Sequence, residues 1–331
     1  MAIEELRERI RNYIGINRRS IAPACRILDA QDCGGFSRSL ICYQGSEDDE
    51  IPAYLLAPKG EGVFPAVLVH HQHNGERHLG KSEVCGLAGN PLQSFGVELA
   101  KRGFIVLAPD SICFEDRRPH MKGVIPDEKN DFIQHYNEMC YRILKGSSLM
   151  KKVIDDANIG FELLKNHPKV DKDRVGVLGH SYGGNTVLFQ MALNEGIAFG
   201  CSSGAACSYK HKMRAGTGIE MAEVIPGFCD KFDIPDLVKC MAPRHVLLVS
   251  ATGDKYSADA DDIAAQAAEA FRQFGAEDRL VHYRYNGGHA LTEERFSDII
   301  NWIVKVAEEI QTVYSRWDEA RSLQDGKVKN R

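Results

Sequence analysis

Apolar positions along the chain follow two rhythms that alternate. Pro65-Ala-Val-Leu-Val-His70, Gly103-Phe-Ile-Val-Leu-Ala-Pro109, Arg174-Val-Gly-Val-Leu-Gly179 and His245-Val-Leu-Leu-Val-Ser250 are short and nearly continuous in apolar residues. That pattern predicts strands buried on both faces of a parallel sheet. Arg279–Tyr285 reads as a final strand, and Cys201 and Cys207 flank another strand end. Between these runs the spacing turns helical, over Leu92–Arg102, Ser148–His167, Asn185–Asn194, Asp259–Gly275 and Thr292–Val313. In the second of these, Leu149, Val153, Ile154, Ile159, Leu163 and Leu164 form the stripe, and Pro168 stops it. Upstream, Ser39–Tyr43 and Ile51–Ala57 flank the polar stretch Gln44–Glu50, which predicts a hairpin.

A hairpin followed by strand–helix alternation predicts an α/β fold, a mostly parallel sheet with helices on both faces. Residues 1–35 read as a helical N-terminal extension, beginning with the charged amphipathic stretch Met1–Ile10 and broken at Gly34-Gly35. Residues 316–331 read as a tail, frayed from Asp325 onward. Residues 110–147 and 204–240 lack periodicity and read as insertions. The 331 residues would suggest roughly two domains on length alone. Without an internal repeat or a linker, one domain over 36–315 fits better.

Composition narrows the function classes. Hydrophobic residues at 44% and charged residues at 26% are ordinary for a globular chain. Lys and Arg number 41 against 46 Asp and Glu, a net charge of −5 without a basic stripe, which excludes a dedicated nucleic-acid binder. No apolar run approaches the roughly 18 residues of a spanning helix, so no membrane association is expected. The N-terminus lacks the apolar core of a secretory signal, so the expected location is the cytoplasm. The ten cysteines, at 25, 33, 42, 85, 113, 140, 201, 207, 229 and 240, contain no C-x-x-C pair and read as reduced, mostly buried thiols. A small-molecule substrate and a homo-oligomer are compatible with this composition.

The sharpest chemical signal is Gly179-His-Ser181-Tyr-Gly183-Gly184. An apolar strand runs into it and a helical pattern runs out, which is the setting of a nucleophile elbow. Gly179 and Gly183 remove the Cβ atoms that would collide in so tight a turn. The turn lifts the Ser181 hydroxyl clear of the sheet, and the helix start offers the Tyr182 backbone N–H to a developing oxyanion. A serine needs a base to activate it. Asp254 follows the strand His245–Ser250, and His289 follows the last strand in Tyr285-Asn-Gly-Gly-His289. Both positions fall at carboxyl strand ends, where open α/β sheets build their sites. Asp259, Asp261 and Asp262 compete for the acid role at the next helix start, and His282 competes for the base from within a strand.

The loop after Pro65–His70 reads His71-Gln72-His73-Asn74-Gly75. A second oxyanion donor is expected there, at the backbone N–H of Gln72 within one residue either way. No Asp or Glu joins these histidines at ligand spacing, so no metal site is expected, and His71 or His73 reads as a hydrogen-bond donor beside the scissile group.

Four stretches carry a resemblance to a known family. They are Phe64-Pro-Ala-Val-Leu-Val-His-His71, Leu99–Asp110, Val153 through Gly184, and Pro235–Arg244 followed by Asp254 and His289. Together, over about residues 50–310, they resemble the α/β-hydrolases of the dienelactone hydrolase and acetyl xylan esterase-like branch. The resemblance implies a Ser181–Asp254–His289 triad and esterase-type hydrolysis. The expected reaction is acyl transfer to water through an acyl-enzyme on Ser181, which needs no cofactor. An amidase or peptidase with the same triad, and a non-catalytic binding protein on this fold, are the alternatives. The loop departs from the family's common His-Gly start by reading His-His-Gln-His.

The two insertions join strand ends to later elements and are expected to wall a pocket above Ser181. They carry Phe114, Phe132, Tyr136, Tyr209, Met213, Met221 and Phe228 as candidate lining, with Phe114 the residue expected on the substrate. They also carry Arg117, Arg118, Lys210, Lys212 and Arg214. Asp110 and Glu115–Arg118 read as a salt-bridge cluster that fixes the loop.

Overall fold

A computed structural model describes residues 2–17 and 22–328, the backbone alone beyond Thr312. Nine strands form one sheet in the order β1-β2-β3-β5-β4-β6-β7-β8-β9. They are β1 (Cys25–Asp32), β2 (Phe36–Gln44), β3 (Glu50–Pro58), β4 (Phe64–His70), β5 (Ile105–Pro109), β6 (Val170–His180), β7 (Phe199–Ser203), β8 (His245–Ala251) and β9 (Leu280–Tyr285). β1, β2, β3 and β5 pair antiparallel, and every pairing from β5 through β4 to β9 is parallel. The expected hairpin is thus the β2–β3 pair, with Gln44 opposite Glu50. Parallel neighbours need crossovers, and the helices supply them.

Two apolar layers cover the sheet. One holds α1 (Ile3–Ile14), α5 (Leu149–Lys165), α6 (Tyr182–Leu193), α8 (Ile234–Lys239) and α9 (Ala260–Arg272). The other holds α3 (Phe95–Lys101) and the start of α10 (Glu293–Val328). The central strands β5 and β7 are buried throughout, and β4 from Ala66 onward, as their apolar runs require. Residues Cys42, Cys85, Cys113, Cys201, Cys207 and Cys240 are buried, and none of the ten thiols is bridged. No helix among the described residues is long and apolar enough to cross a membrane.

Four segments differ from the sequence reading. The N-terminal segment is not helical to residue 35: α1 stops where Gly15 turns left-handed at φ 80°, and β1 follows as an exposed edge strand. The rest of that expected helix, residues 18–21, lies outside the described residues. Nor is α1 a loose extension. Arg7 donates to Ala192 O and Cys240 O, and Arg11 to Leu193 O, so two cations meet the carbonyl end of α6. The first insertion contains the 17-residue helix α4 (Glu128–Leu144), capped by Asp127. The second contains α7 (Tyr209–Ala215) and α8. At the other end α10 runs past Val313 through the expected tail, with 329–331 outside the described residues.

Candidate active site

Ser181 sits between β6 and α6 with φ 56° and ψ −120°. A non-glycine residue held there stores backbone strain, which the surrounding packing must impose. The packing is visible at the flanking glycines. A Cβ on Gly179 would lie 2.2 Å from Gly183 C, and one on Gly183 would lie 2.3 Å from His70 O. The end of β4 and the first turn of α6 therefore meet backbone to backbone. In that first turn no helical carbonyl reaches the Tyr182 N–H.

The Ser181 hydroxyl meets His289 Nε2 at 2.8 Å, and His289 Nδ1 meets Asp254 Oδ1 at 3.0 Å. The loops after β8 and β9 are tied together by Gly253 N–H donating to Gly287 O at 2.8 Å. Arg295, nearly buried, donates to the carbonyls of Asn286, Gly288 and Ala290 and so fixes the His289 loop from α10. Asp254 is 3% exposed. Burial pushes its carboxyl up, but His289, Ser257 Oγ at 2.6 Å and the Tyr256 N–H at 2.9 Å hold it below the ordinary carboxylate range.

The competitors are engaged elsewhere. Asp259 accepts from the Ser208 N–H and hydroxyl. His282 meets Ser250 Oγ at 2.7 Å and Asp261 at 3.3 Å, on the β9 side of the sheet. Asp262 is exposed on α9.

The residues expected on the substrate divide. His71 is buried, and both ring nitrogens bond to backbone: Nδ1 donates to Gln72 O at 2.7 Å and Nε2 accepts from the Ser111 N–H at 3.1 Å. Burial drives its pKa down to about 3. The imidazole is a neutral brace between two loops rather than a donor to substrate. Phe114 is fully buried among His71, Tyr182 and His135, so it packs behind the site and does not line it. The Gln72 side chain turns away to Glu83 at 3.0 Å, leaving its backbone as the part available near the elbow. His73 does face the site.

A cavity of about 320 Å³ opens over Ser181 and His289. Its walls include His73 and Arg77 from the loop after β4, Asn185 from α6, Tyr256, and Phe132, Lys212, Glu220 and Met221 from the two insertions. Both insertions thus reach the pocket, through other residues than most of those expected. Tyr209 and Phe228 are buried in the core, and Met213 is exposed. The cations are mostly consumed by partners. Arg117 pairs with Asp49 and Asp156, Arg118 with Asp131, and Lys212 with Glu223 at 2.6 Å. The expected cluster around Asp110 is present, with Lys81 as its cation: the ammonium donates to Asp110, Glu115 and Asp116 at 2.8, 2.5 and 2.6 Å.

Arg77, Asn185, Tyr256, Ser257 and Arg295 escaped the sequence reading. Their local signals are weak: Arg77 follows Gly75 by two residues, Asn185 follows Ser181 by one helical turn, and Tyr256 and Ser257 follow Asp254 directly.

Residues 51–202 match the Dienelactone hydrolase family. A Bacillus subtilis (strain 168) protein named "Putative hydrolase YtaP" is 28% identical over 248 residues, covering 73% of this chain and 78% of that one. Among solved structures, a Bacteroides fragilis NCTC 9343 protein described as "a putative acetyl xylan esterase (BF1801)" superposes with a TM-score of 0.70 at 18% identity, covering 86% of this chain and 74% of that one. A glucuronoyl esterase from Solibacter usitatus gives a TM-score of 0.64 at 14% identity, with 92% of each chain covered. The chain has the α/β-hydrolase fold and is similar over residues 51–202 to the Dienelactone hydrolase family.

Proposed function

We propose that this protein hydrolyses a carboxylic ester through an acyl-enzyme on Ser181. The observation that carries the reading is the unbroken line from Asp254 through His289 to the Ser181 hydroxyl, at 3.0 and 2.8 Å, opening into a cavity. His289 takes the hydroxyl proton as Ser181 attacks the carbonyl, and Asp254 fixes the Nδ1–H tautomer and stabilises the imidazolium. The Tyr182 N–H, with a backbone N–H at Gln72 within one residue, holds the oxyanion. His289 then protonates the departing alcohol. Water, deprotonated by the same imidazole, releases the acid and restores Ser181. The names of the fold neighbours, esterases in both cases, favour ester over amide. No step requires a cofactor.

The pocket walls refine the substrate class. Arg77, Asn185 and the His73–Glu220 pair give them a polar, hydrogen-bonding character. Such walls fit a small or medium ester carrying polar substituents better than a plain fatty ester.

A panel of short aryl esters and matching anilides tests the reading. Ser181→Ala lowers ester turnover by several orders of magnitude with an unchanged melting temperature, leaving a residue of roughly 10³-fold over water. Near wild-type turnover in that variant refutes the nucleophile, and faster cleavage of anilides than esters refutes the substrate class.

A further inference from the structure

The second insertion borders the cavity with a short arch of chain. It leaves α7 at Gly216, which turns left-handed at φ 66°, and runs through Gly218, Ile219 and Glu220 into the short turn Met221–Glu223. Its base is held by buried contacts. Lys212 donates to both Glu223 oxygens, at 2.8 and 2.6 Å, and the Tyr209 hydroxyl donates to Glu223 O at 2.8 Å. Gly218, Ile219, Glu220 and Met221 line the cavity from the second insertion, and His73, Asn74, Gly75 and Arg77 line it from the loop after β4.

Among the described residues, one side-chain hydrogen bond between these segments links His73 Nε2 to Glu220 Oε2 at 2.9 Å. Its proton is assigned by the other ring nitrogen. His73 Nδ1 accepts from the Gly75 N–H at 2.9 Å, so Nε2 carries hydrogen and donates to the carboxylate. The second Glu220 oxygen accepts from the Met221 N–H at 2.9 Å. With both nitrogens spent, His73 has no N–H left for a substrate, although it faces the nucleophile. Its chemistry is directed at the arch.

We propose that Glu220 is a specificity-determining residue, which latches the arch 216–220 onto His73 and thereby limits the bulk of the ester that reaches Ser181. The proposal rests on the ester-hydrolase reading for its substrate. The latch itself is a matter of local structure and can be measured separately. Burial pushes the Glu220 carboxyl up, but His73, His135 and Arg77 pull it down to about 2, so the group that accepts from His73 is a carboxylate at neutral pH. Arg77 contributes from 3.4 Å beyond the same His73 nitrogen, itself steadied by donating Nε–H to His135 at 2.8 Å. When the pair breaks, the two glycines give the arch the backbone freedom to swing outward while its base stays fixed.

The test pairs a substrate ratio with a structural readout. Wild type, Glu220→Ala, His73→Ala and Glu220→Gln are compared on p-nitrophenyl acetate and on a p-nitrophenyl ester of a bulky branched or aromatic acid, alongside amide hydrogen exchange over residues 216–223. In both alanine variants the bulky-to-acetyl ratio of kcat/KM rises about tenfold, the scale set by relieving a steric limit in a pocket, and exchange over 216–220 quickens. Glu220→Gln, whose carbonyl still accepts from His73, stays close to wild type in both. Unchanged exchange in the alanine variants overturns the latch. Quickened exchange with an unchanged ratio overturns the size limit. Wild type without turnover of any ester overturns the hydrolase reading and the size limit with it, and the exchange data then decide the latch.

Discussion

Replacing Lys81 by Met is the sharpest test of how the wall beside the nucleophile is held. The ammonium is 1% exposed and lies among three carboxylates, of which Asp110 and Glu115 are themselves buried. Asp110 also accepts from the Lys81 and Asp116 N–H groups, and Glu115 from the Ser82 N–H and hydroxyl. The cluster therefore binds the short helix at Lys81–Val84 to the chain leaving β5. That chain presents Ser111, whose N–H meets His71 and whose hydroxyl meets the Tyr182 hydroxyl at 2.7 Å. Met keeps the length of the stem and deletes the charge. Two buried carboxylates then lose their cation, and breaking a buried pair from one side costs about 3–5 kcal/mol. At roughly 2 °C per kcal/mol for a chain of this size, the melting temperature at pH 7.5 falls by about 6–10 °C. The pH dependence has a definite sign. Burial and Glu115 already raise Asp110 to about 7, above its ordinary 3.8, against the pull of Lys81. A carboxyl with a raised folded value costs stability above that value, and the cost fades as pH falls toward the unfolded one. Without Lys81 the folded value of Asp110 rises further, so the deficit of Lys81→Met narrows as pH falls from that higher value toward pH 7. Adding Asp110→Asn and Glu115→Gln to the variant restores at least half of the loss at pH 7.5. Differential scanning calorimetry across pH measures all three. A shift under 2 °C, or a deficit that widens toward acid, would refute the reasoning.

Two further expectations concern the triad's supports. Gly183→Ala sets a Cβ against the His70 and His71 carbonyls, at 2.3 and 2.9 Å; it lowers stability by about 1–3 kcal/mol and turnover at least a hundredfold, and a variant with wild-type melting and turnover would show that the helix start is free to shift. Ser257→Ala strips a donor from a buried carboxylate, a bond worth about 1.5–3 kcal/mol, so kcat/KM falls roughly tenfold or more and Ser257→Thr recovers it. Because Asp254 is held below its ordinary value, its stabilisation is present at neutral pH and lost as pH falls through the folded value. Losing the Ser257 donor raises that value, so the acid-unfolding midpoint of Ser257→Ala moves to higher pH, and an unmoved midpoint would place the support elsewhere.

What the sequence makes legible is what local chain geometry dictates. The elbow is readable because a strand, two glycines, a serine and a helix must occur within a dozen residues for Ser181 to stand where it does. Asp254 and His289 are readable because each follows a buried strand by a few residues. β1 escapes because Cys25–Asp32 is exposed throughout, so no apolar period marks it. α4 escapes because much of its surface is exposed and its residues are mostly charged or polar, leaving a faint stripe inside a charged stretch.

The pocket is a different kind of problem, because its chemistry depends on which charges find partners far away in sequence. Arg117 reads as a surface cation, yet Asp49 and Asp156 close on it from two other elements. Lys81 looks no different in sequence from Lys59, which sits half-exposed just past the end of β3 and pairs with Asp32. His71 and His73 are two residues apart in one loop, and the fold spends the first on backbone groups and directs the second to Glu220 of the second insertion. No residue type or spacing distinguishes the two. The distinction arises when the second insertion brings a carboxylate to within 2.9 Å of His73 and the chain after β5 brings an N–H to His71. The catalytic line is therefore set by short-range rules and the substrate walls by long-range pairing. On the proposed ester-hydrolase reading, this division would let one elbow serve different substrates: exchanging the insertion that carries Glu220 alters the wall without disturbing the turn that holds Ser181.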